Sequence, residues 1–412
     1  MAMDGIDKLR LLGAGQLVAD KDACSAGSCG IPQVRPARER AFPGIYRAAV
    51  PGRGRIPLLR VLMTNVCQFD CRYCAINCHR DVERSSYQPE ELVEVFLELH
   101  RRGAADGLFL TSGVAGDPGK VESRMLEAVA ILREREGFKG YIHLKIMPGL
   151  PVEHIEWAAG LVDRLSINLE APTPEHLARI APKKAAATNA VAAMETVRRI
   201  QGRVPHVLPA GQTTQLVVGA AGESDKEILK RSHWLYGHLK MRRVYYSAYQ
   251  PVCGEELAPP APPAREHRLY QSDWLLRRYP IPLDELLFDD YGNLPLAADP
   301  KLVWALRHPE NFPKEVNRAS YRELLQVPGI GPLSARRIVE NRRSYRFRDL
   351  SALGAMGVVT KRARHFLLLD GRYFGGRGVM ASQLLHLPDE SESYQMSLWD
   401  PAKALEPVVS LA

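Results

Sequence analysis

The stretch Leu58-Leu59-Arg60-Val61-Leu62-Met63-Thr64-Asn65-Val66-Cys67-Gln68-Phe69-Asp70-Cys71-Arg72-Tyr73-Cys74 joins a short apolar run to three cysteines spaced C-x3-C-x2-C. Leu58–Met63 reads as a buried strand, and the cysteines occupy the loop that leaves it. Three closely spaced thiolates can hold three irons of a [4Fe–4S] cube, which more usually takes four cysteines. The fourth iron is then open to a reacting ligand. Cys78 extends the run to C-x3-C-x2-C-x3-C and would close the site if it were a ligand. A structural zinc site normally uses cysteine pairs separated by a longer loop, which this compact run does not provide. Disulfides fit less well. The start, Met1–Lys8, has neither a basic n-region nor an apolar h-region, so a reducing, cytoplasmic setting is expected. Cys24, Cys29 and Cys253 stay open between buried small side chains and ligands.

Outward from this loop, short β-rich runs alternate with helical stretches. The expected strands are Leu58–Met63, Gly107–Ser112, Tyr141–Ile146, Arg164–Leu169, Thr213–Val218 and Arg243–Ala248. Amphipathic segments lie between them, such as Pro89–Arg102, Lys120–Glu136 and Thr188–Gln201. Short strands bounded by Gly or Pro and separated by helices predict a right-handed parallel α/β sheet, a partial (β/α)6 barrel. Ligands bind such sheets at the C-terminal strand ends, where the cysteine loop lies. The expected organisation is an N-terminal extension over 1–50, a barrel core over 51–252 and a proline-rich cap or linker over 253–310. A small all-α module over 311–376 and a flexible acidic tail over 377–412 complete the chain.

The composition is that of a globular chain, with 46% hydrophobic and 25% charged residues. No apolar run is long enough to span a bilayer, so no membrane partner is expected. The net charge of +8 is concentrated. Lys314–Arg377 holds 14 Lys and Arg against 5 Asp and Glu, which leaves the remainder close to neutral. A local excess of this size suits a polyanion such as DNA, although a solvated helix face would give the same count.

The same region holds Val327-Pro328-Gly329-Ile330-Gly331 between two helical segments. It resembles a helix-hairpin-helix motif, and Met356–Ala363 resembles a second, degenerate copy. Glycines let the backbone approach closely, and free N–H groups at the following helix form an anion site. Gly329, Gly331, Arg336, Arg337, Lys361 and Arg362 are the expected DNA contacts, gripping backbone rather than reading bases. A structural hairpin that contacts protein is the alternative.

The cysteine run is the signature of radical S-adenosylmethionine (SAM) enzymes, and the chain resembles that superfamily there. This resemblance implies a [4Fe–4S] cluster on Cys67, Cys71 and Cys74, bound SAM and an external electron donor. One electron would split the sulfonium C–S bond and leave a 5′-deoxyadenosyl radical. Ser112 and Gly113 stand where the superfamily carries a Gly-Gly-Glu-like turn, here without its glutamate. Tyr73 is expected beside the cluster. Ser166, Asn168 and Glu170 share one face by the period of two and are expected to line the SAM or substrate pocket. Gln215, Lys145, Lys183 and Lys184 are weaker candidates. The sequence singles out no acid, base or hydrogen donor.

From about residue 5 to 375, including the turn Cys24-Ser25-Ala26-Gly27, the chain resembles the DNA modification/repair radical SAM protein family. That family is associated with a uracil-DNA-glycosylase-like partner. Gln395-Met396-Ser397-Leu398-Trp399 resembles the short peptides that dock on the bacterial sliding clamp. The expected function is radical modification or repair of DNA. The alternatives are radical modification of RNA or protein, or a DNA-binding accessory with a structural cluster.

Overall fold

The computed structural model describes residues 4–13, 42–50, 52–147, 149–187, 189–252, 257–279 and 281–376. Cys24, Cys29, Cys253 and the Gln395–Trp399 peptide lie outside them. The described residues divide into two units, one containing those up to Glu223 and Trp234–Pro263, the other Ser224–His233 and those from Ala264 on.

The first unit is built on seven strands: β1 (Ile45–Val50), β2 (Gly54–Leu62), β3 (Gly107–Thr111), β4 (Tyr141–Lys145), β5 (Arg164–Ser166), β6 (Gln212–Val218) and β7 (Arg243–Ala248). They hydrogen-bond in the order β1-β2-β3-β4-β5-β6-β7, with every pair parallel except β1–β2. Among the described residues β1 pairs only with β2, and β7 only with β6, so the sheet is a half-barrel. All six expected parallel strands are present. The antiparallel edge strand β1 is an addition, and β5 stops at Ser166 instead of reaching Leu169.

The connecting helices follow the local signals. After α1 (Leu9–Leu12), α2 (Pro89–Arg101) carries a proline in its first turn and a capping box between Gln88 and Glu91. Asp117 caps α3 (Pro118–Ala130) through a bond to the Gly119 N–H. Next come α4 (Val152–Leu161), α5 (Pro174–Ile180), α6 (Pro182–Ala187), α7 (Ala190–Arg203) and α8 (Asp225–Leu239).

One sheet face lies against α7 and the last turn of α8. Gln212 Nε2 donates to the carbonyls of Met194 in α7 and Leu239 in α8, and its face carries Leu216 and Val218, both buried. The opposite face has an apolar base of Ala48, Val50, Leu58, Phe109, Tyr141 and Ala210. Polar residues follow towards the strand ends. Arg60, Phe109, His143 and Arg164 form one in-register row across β2 to β5, and Lys145, Ser166, Thr213 and Arg243 form another across β4 to β7. An inner face this polar is poor packing material, which points to a site for ligands.

The second unit contains α9 (Pro263–Arg278), α10 (Pro300–Arg307), α11 (Tyr321–Gln326), α12 (Pro332–Asn341), α13 (Leu350–Ala355) and α14 (Thr360–Ala363). It also holds a small sheet, β8 (Lys314–Glu315), β9 (Leu367–Leu369) and β10 (Arg372–Tyr373), in the order β10-β9-β8. The helical module is therefore closed by short strands that sequence periodicity does not reveal, because two or three residues are too few to show a period of two. No helix among the described residues is long and apolar enough to cross a membrane.

Candidate functional site

The cysteine loop leaves the C-terminal end of β2 and is tied to the end of β3. Gly113 N donates to Thr64 O at 2.7 Å, and Gln68 N donates to Val114 O at 2.8 Å. A Cβ on Gly113 would stand 2.4 Å from Val66 O, so only glycine lets the two strand ends meet this closely. The loop also binds the chain that follows β5. Arg72 N donates to Ile180 O at 2.9 Å, and Lys183 N donates to Asp70 Oδ1 at 3.1 Å. Asn77 Nδ2 donates to Cys71 O at 3.1 Å, while Asn77 Oδ1 accepts from His79 N.

Cys67, Cys71 and Cys74 are free thiols, Cys71 buried and the other two partly so. Burial pushes the Cys71 thiol up to about 12, with Lys184 pulling it down and Cys74 and Glu170 adding to the rise. The Cys74 thiol is pushed up to about 11, first by burial, with Cys67 and Glu170 contributing. Cys71 and Cys74 thus share the Lys184–Glu170 pair as neighbour, and Cys67 acts on Cys74. Thiols so placed are inert by themselves, and a bound cation is what would stabilise them as thiolates. Among the described residues no three Cys, His, Asp or Glu side chains converge on one ion position. A cube makes no such demand, because each thiolate ligates a different iron. Cys78 stands apart in its contacts: its thiol lies 3.5 Å from Lys183 Nζ.

The other expected residues distribute unevenly. Tyr73 is buried, its hydroxyl bonded to the Cys71 thiol, and burial raises it well above an ordinary tyrosine. Ser112 Oγ and Asn168 Oδ1 are buried atoms without a hydrogen-bond partner among the described residues, and both lie just past strand ends, of β3 and β5. Two orphaned polar atoms past the strand ends suit a polar ligand, since burying such atoms unpaired is costly. Ser166 is committed elsewhere, its Oγ 2.9 Å from His143 Nε2. His143 stacks on Phe109 at 4.1 Å, and burial, then Arg164 and Lys145, hold it well below an ordinary histidine, hence neutral.

The strand expected to put Ser166, Asn168 and Glu170 on one face ends at Ser166. Glu170 has φ 65°, and past Ser166 the alternation of a strand is lost. Glu170 instead turns into a buried ion pair, its Oε1 2.7 Å from Lys184 Nζ. Burial pulls the Lys184 ammonium down, but Glu170 and Cys71 outweigh it and the net shift is upward. Lys184, a weak candidate by sequence, is thereby placed next to the thiols; only its distant partners distinguish it from Lys183. Gln215 is buried in β6, and its carbonyl accepts from Glu170 N at 2.9 Å. Lys145 is buried at the end of β4.

In the second unit the two hairpins interlock. Gly329 O accepts from Val359 N at 2.9 Å, and Gly357 O accepts from Ser334 Oγ at 2.8 Å. Gly329 and Gly357 have φ of 89° and 85°. The first hairpin feeds a ten-residue helix whose N-cap, Gly331, supplies no side-chain cap, whereas the second feeds a helix of four residues. Arg336, Arg337 and Lys361 are exposed. Arg362 is not: it is buried with Nη1 3.9 Å from Asp299 Oδ2. Its expected DNA contact is corrected, because this turn of α14 points it inward while Lys361 faces solvent.

Comparison with known proteins matches residues 61–235 to the model of the Radical SAM superfamily, and residues 315–363 to that of the helix-hairpin-helix motif. No curated protein matches the chain. Among solved structures the chain is similar to the FeFe-hydrogenase maturase HydG from Carboxydothermus hydrogenoformans, at 14% identity over 53% of this chain and 51% of that one, with a TM-score of 0.43. Methylornithine synthase (PylB) is 13% identical over 54% of this chain and 63% of that one, with a TM-score of 0.42. The radical SAM methyltransferase TsrM from Kitasatospora setae, with cobalamin and a [4Fe–4S] cluster bound, is 13% identical over 84% and 59%, with a TM-score of 0.37. The chain spans about half the length of HydG.

Proposed function

On the premise that residues 61–235 form a radical SAM superfamily domain, which works with a [4Fe–4S] cluster and SAM, we propose that this chain is an enzyme that modifies or repairs a base in DNA. Cys67, Cys71 and Cys74 would hold the cluster and leave one iron open. When bound, cluster and SAM supply one-electron cleavage of the sulfonium C–S bond.

The chain's own residues supply position and exclusion of water. Gly113 allows the loop to close against β3, and Phe69, Tyr73 and Ile76 are buried within that loop. The orphaned Ser112 Oγ and Asn168 Oδ1 offer hydrogen bonds to a polar ligand. The Lys184–Glu170 pair offers one charge of each sign, which suits the zwitterionic amino-acid end of SAM.

DNA as the substrate is supported by one observation above the rest. The helix-hairpin-helix motif presents exposed Arg336 and Arg337 on the helix that follows Gly331. A duplex base would have to be extruded to reach chemistry inside a half-barrel. An external electron donor is required. A uracil-DNA-glycosylase-like partner and a clamp contact through Gln395–Trp399 rest on the sequence resemblance alone.

The test is a nucleoside assay. Anaerobically reconstituted enzyme is reduced with SAM and DNA carrying damaged or unusual bases, and the digested nucleosides are analysed by mass. The expected result is 5′-deoxyadenosine formed together with an altered nucleoside, both lost in Cys74→Ala. Release that DNA leaves unchanged but RNA or a protein stimulates would overturn the DNA assignment.

A further inference from the structure

Arg84 makes four hydrogen bonds, and all of them go to main-chain carbonyls of the cysteine loop. Nη1 donates to Asn65 O at 2.5 Å and to Ile76 O at 2.8 Å; Nη2 donates to Asn77 O at 2.9 Å and to Arg80 O at 2.8 Å. Asn65 stands two residues before Cys67, and Ile76 two residues after Cys74. Asn77 and Arg80 bracket Cys78. One planar guanidinium therefore closes the loop from both ends. No carboxylate pairs with it among the described residues, so its charge is met only by carbonyl dipoles.

The neighbouring bonds reinforce the ring at the level of side chains. Asn65 Nδ2 donates to Glu83 O at 2.8 Å, and Asn65 Oδ1 accepts from Ser85 N at 2.7 Å. Thr64 Oγ1 donates to Ser85 O at 3.0 Å. The segment around Arg84 is thus anchored to the strand end before the first cysteine. Arg84 then reaches past all three cysteines to the far side. A lysine has one compact ammonium and cannot span four carbonyls in a plane.

We propose that Arg84 is the positioning residue of the cluster site, shaping the cysteine loop to receive the cluster before iron arrives. The proposal rests on the three-cysteine reading above. It requires that the fork geometry matters, and not the charge alone, since the four acceptors lie on both sides of the thiols. Groups that orient metal ligands without touching the metal typically contribute about 10- to 100-fold in metal retention.

The experiment measures iron retention against a chelator after anaerobic reconstitution of the full chain. Wild type is compared with Arg84→Ala and Arg84→Lys, each with and without millimolar guanidinium, and the EPR spectrum of the reduced cluster is recorded. Both variants are expected to lose iron about 10- to 100-fold more readily. Added guanidinium should restore Arg84→Ala and its wild-type EPR line shape. Far-UV circular dichroism of the apo forms identifies a variant that fails to fold, and Arg84→Lys then decides. Equal retention in Arg84→Ala and wild type overturns the proposal, as does full retention in Arg84→Lys. A wild type that takes up no cluster instead removes the three-cysteine reading, and this inference with it.

Discussion

The barrel mouth and the hairpin unit handle charge in opposite ways. At the mouth, Glu170, Lys184 and Cys71 are enclosed and act on one another. In the hairpin unit, Arg336, Arg337 and Lys361 are exposed, whereas Arg362 is buried. Reactive chemistry needs water excluded, so its residues are brought together by long-range contacts. Gripping a phosphate backbone needs free N–H groups and exposed cations, which a short local motif can supply. The two regions should therefore fail differently when altered.

The largest contrast lies within the mouth itself. Cys74→Ser should abolish cluster binding, whereas Cys78→Ser, whose thiol faces Lys183, should keep the iron content of wild type. Iron and sulfide analysis of reconstituted protein decides, and equal loss in both variants would make Cys78 a ligand. Next comes Gly329→Val. Its φ of 89° and a Cβ placed 2.6 Å from Val359 O strain the hairpin. We expect the unit to lose about 1–3 kcal/mol of stability and most DNA affinity, with cluster loading unchanged. Thermal melts and fluorescence anisotropy on duplex DNA check both halves.

A smaller effect separates the hairpin cations. Arg337→Ala should lower the slope of log affinity against log salt by about 1, as loss of one phosphate contact does. Arg362→Ala should leave that slope alone and reduce stability instead, since its guanidinium serves Asp299. Equal slopes for both variants would erase the distinction between surface and buried cation.

The smallest effect is on pH dependence, where one buried group in each region gives opposite signs. Burial pushes Glu122 up to about 8, partly offset by the N–H of Met147. The folded chain keeps that proton where the unfolded chain has released it, so this contribution to stability is present at pH 4.5 and lost as pH rises through 8. Burial pulls Lys301 down to about 7, with Asp299 opposing. There the unfolded chain holds the extra proton, so stability is gained as pH rises from 7 towards 10.5. Melts across pH should show Glu122→Gln lacking the fall and Lys301→Met lacking the rise.

The same division governs what the sequence makes legible. Six parallel strands could be read because runs such as Gly107–Thr111 are apolar throughout and bounded by turn residues. Strand β1 was hidden, since Tyr46 and Arg47 interrupt its pattern and its pairing partner alone defines it. The run Ser166-Ile167-Asn168-Leu169-Glu170 alternates like a strand, yet β5 ends at Ser166, and Glu170 beyond it takes a left-handed backbone. The cysteine spacing and the Val327–Gly331 hairpin are local and could be read directly. Lys184 and Arg84 could not, because an ion pair across 14 residues and bonds to main-chain carbonyls leave no pattern in side-chain identity. Arg362 was misplaced for a related reason: on a helix, neighbouring cations point about 100° apart, and one of them faces the core.

A cluster held by Cys67, Cys71 and Cys74 alone leaves one iron open to SAM. The most direct test is the EPR spectrum of the reduced, reconstituted full chain, recorded with and without SAM. An open iron predicts that SAM changes the spectrum, and that it does so equally in Cys78→Ser. A reduced cluster whose spectrum ignores SAM in wild type would contradict the claim and make the centre structural.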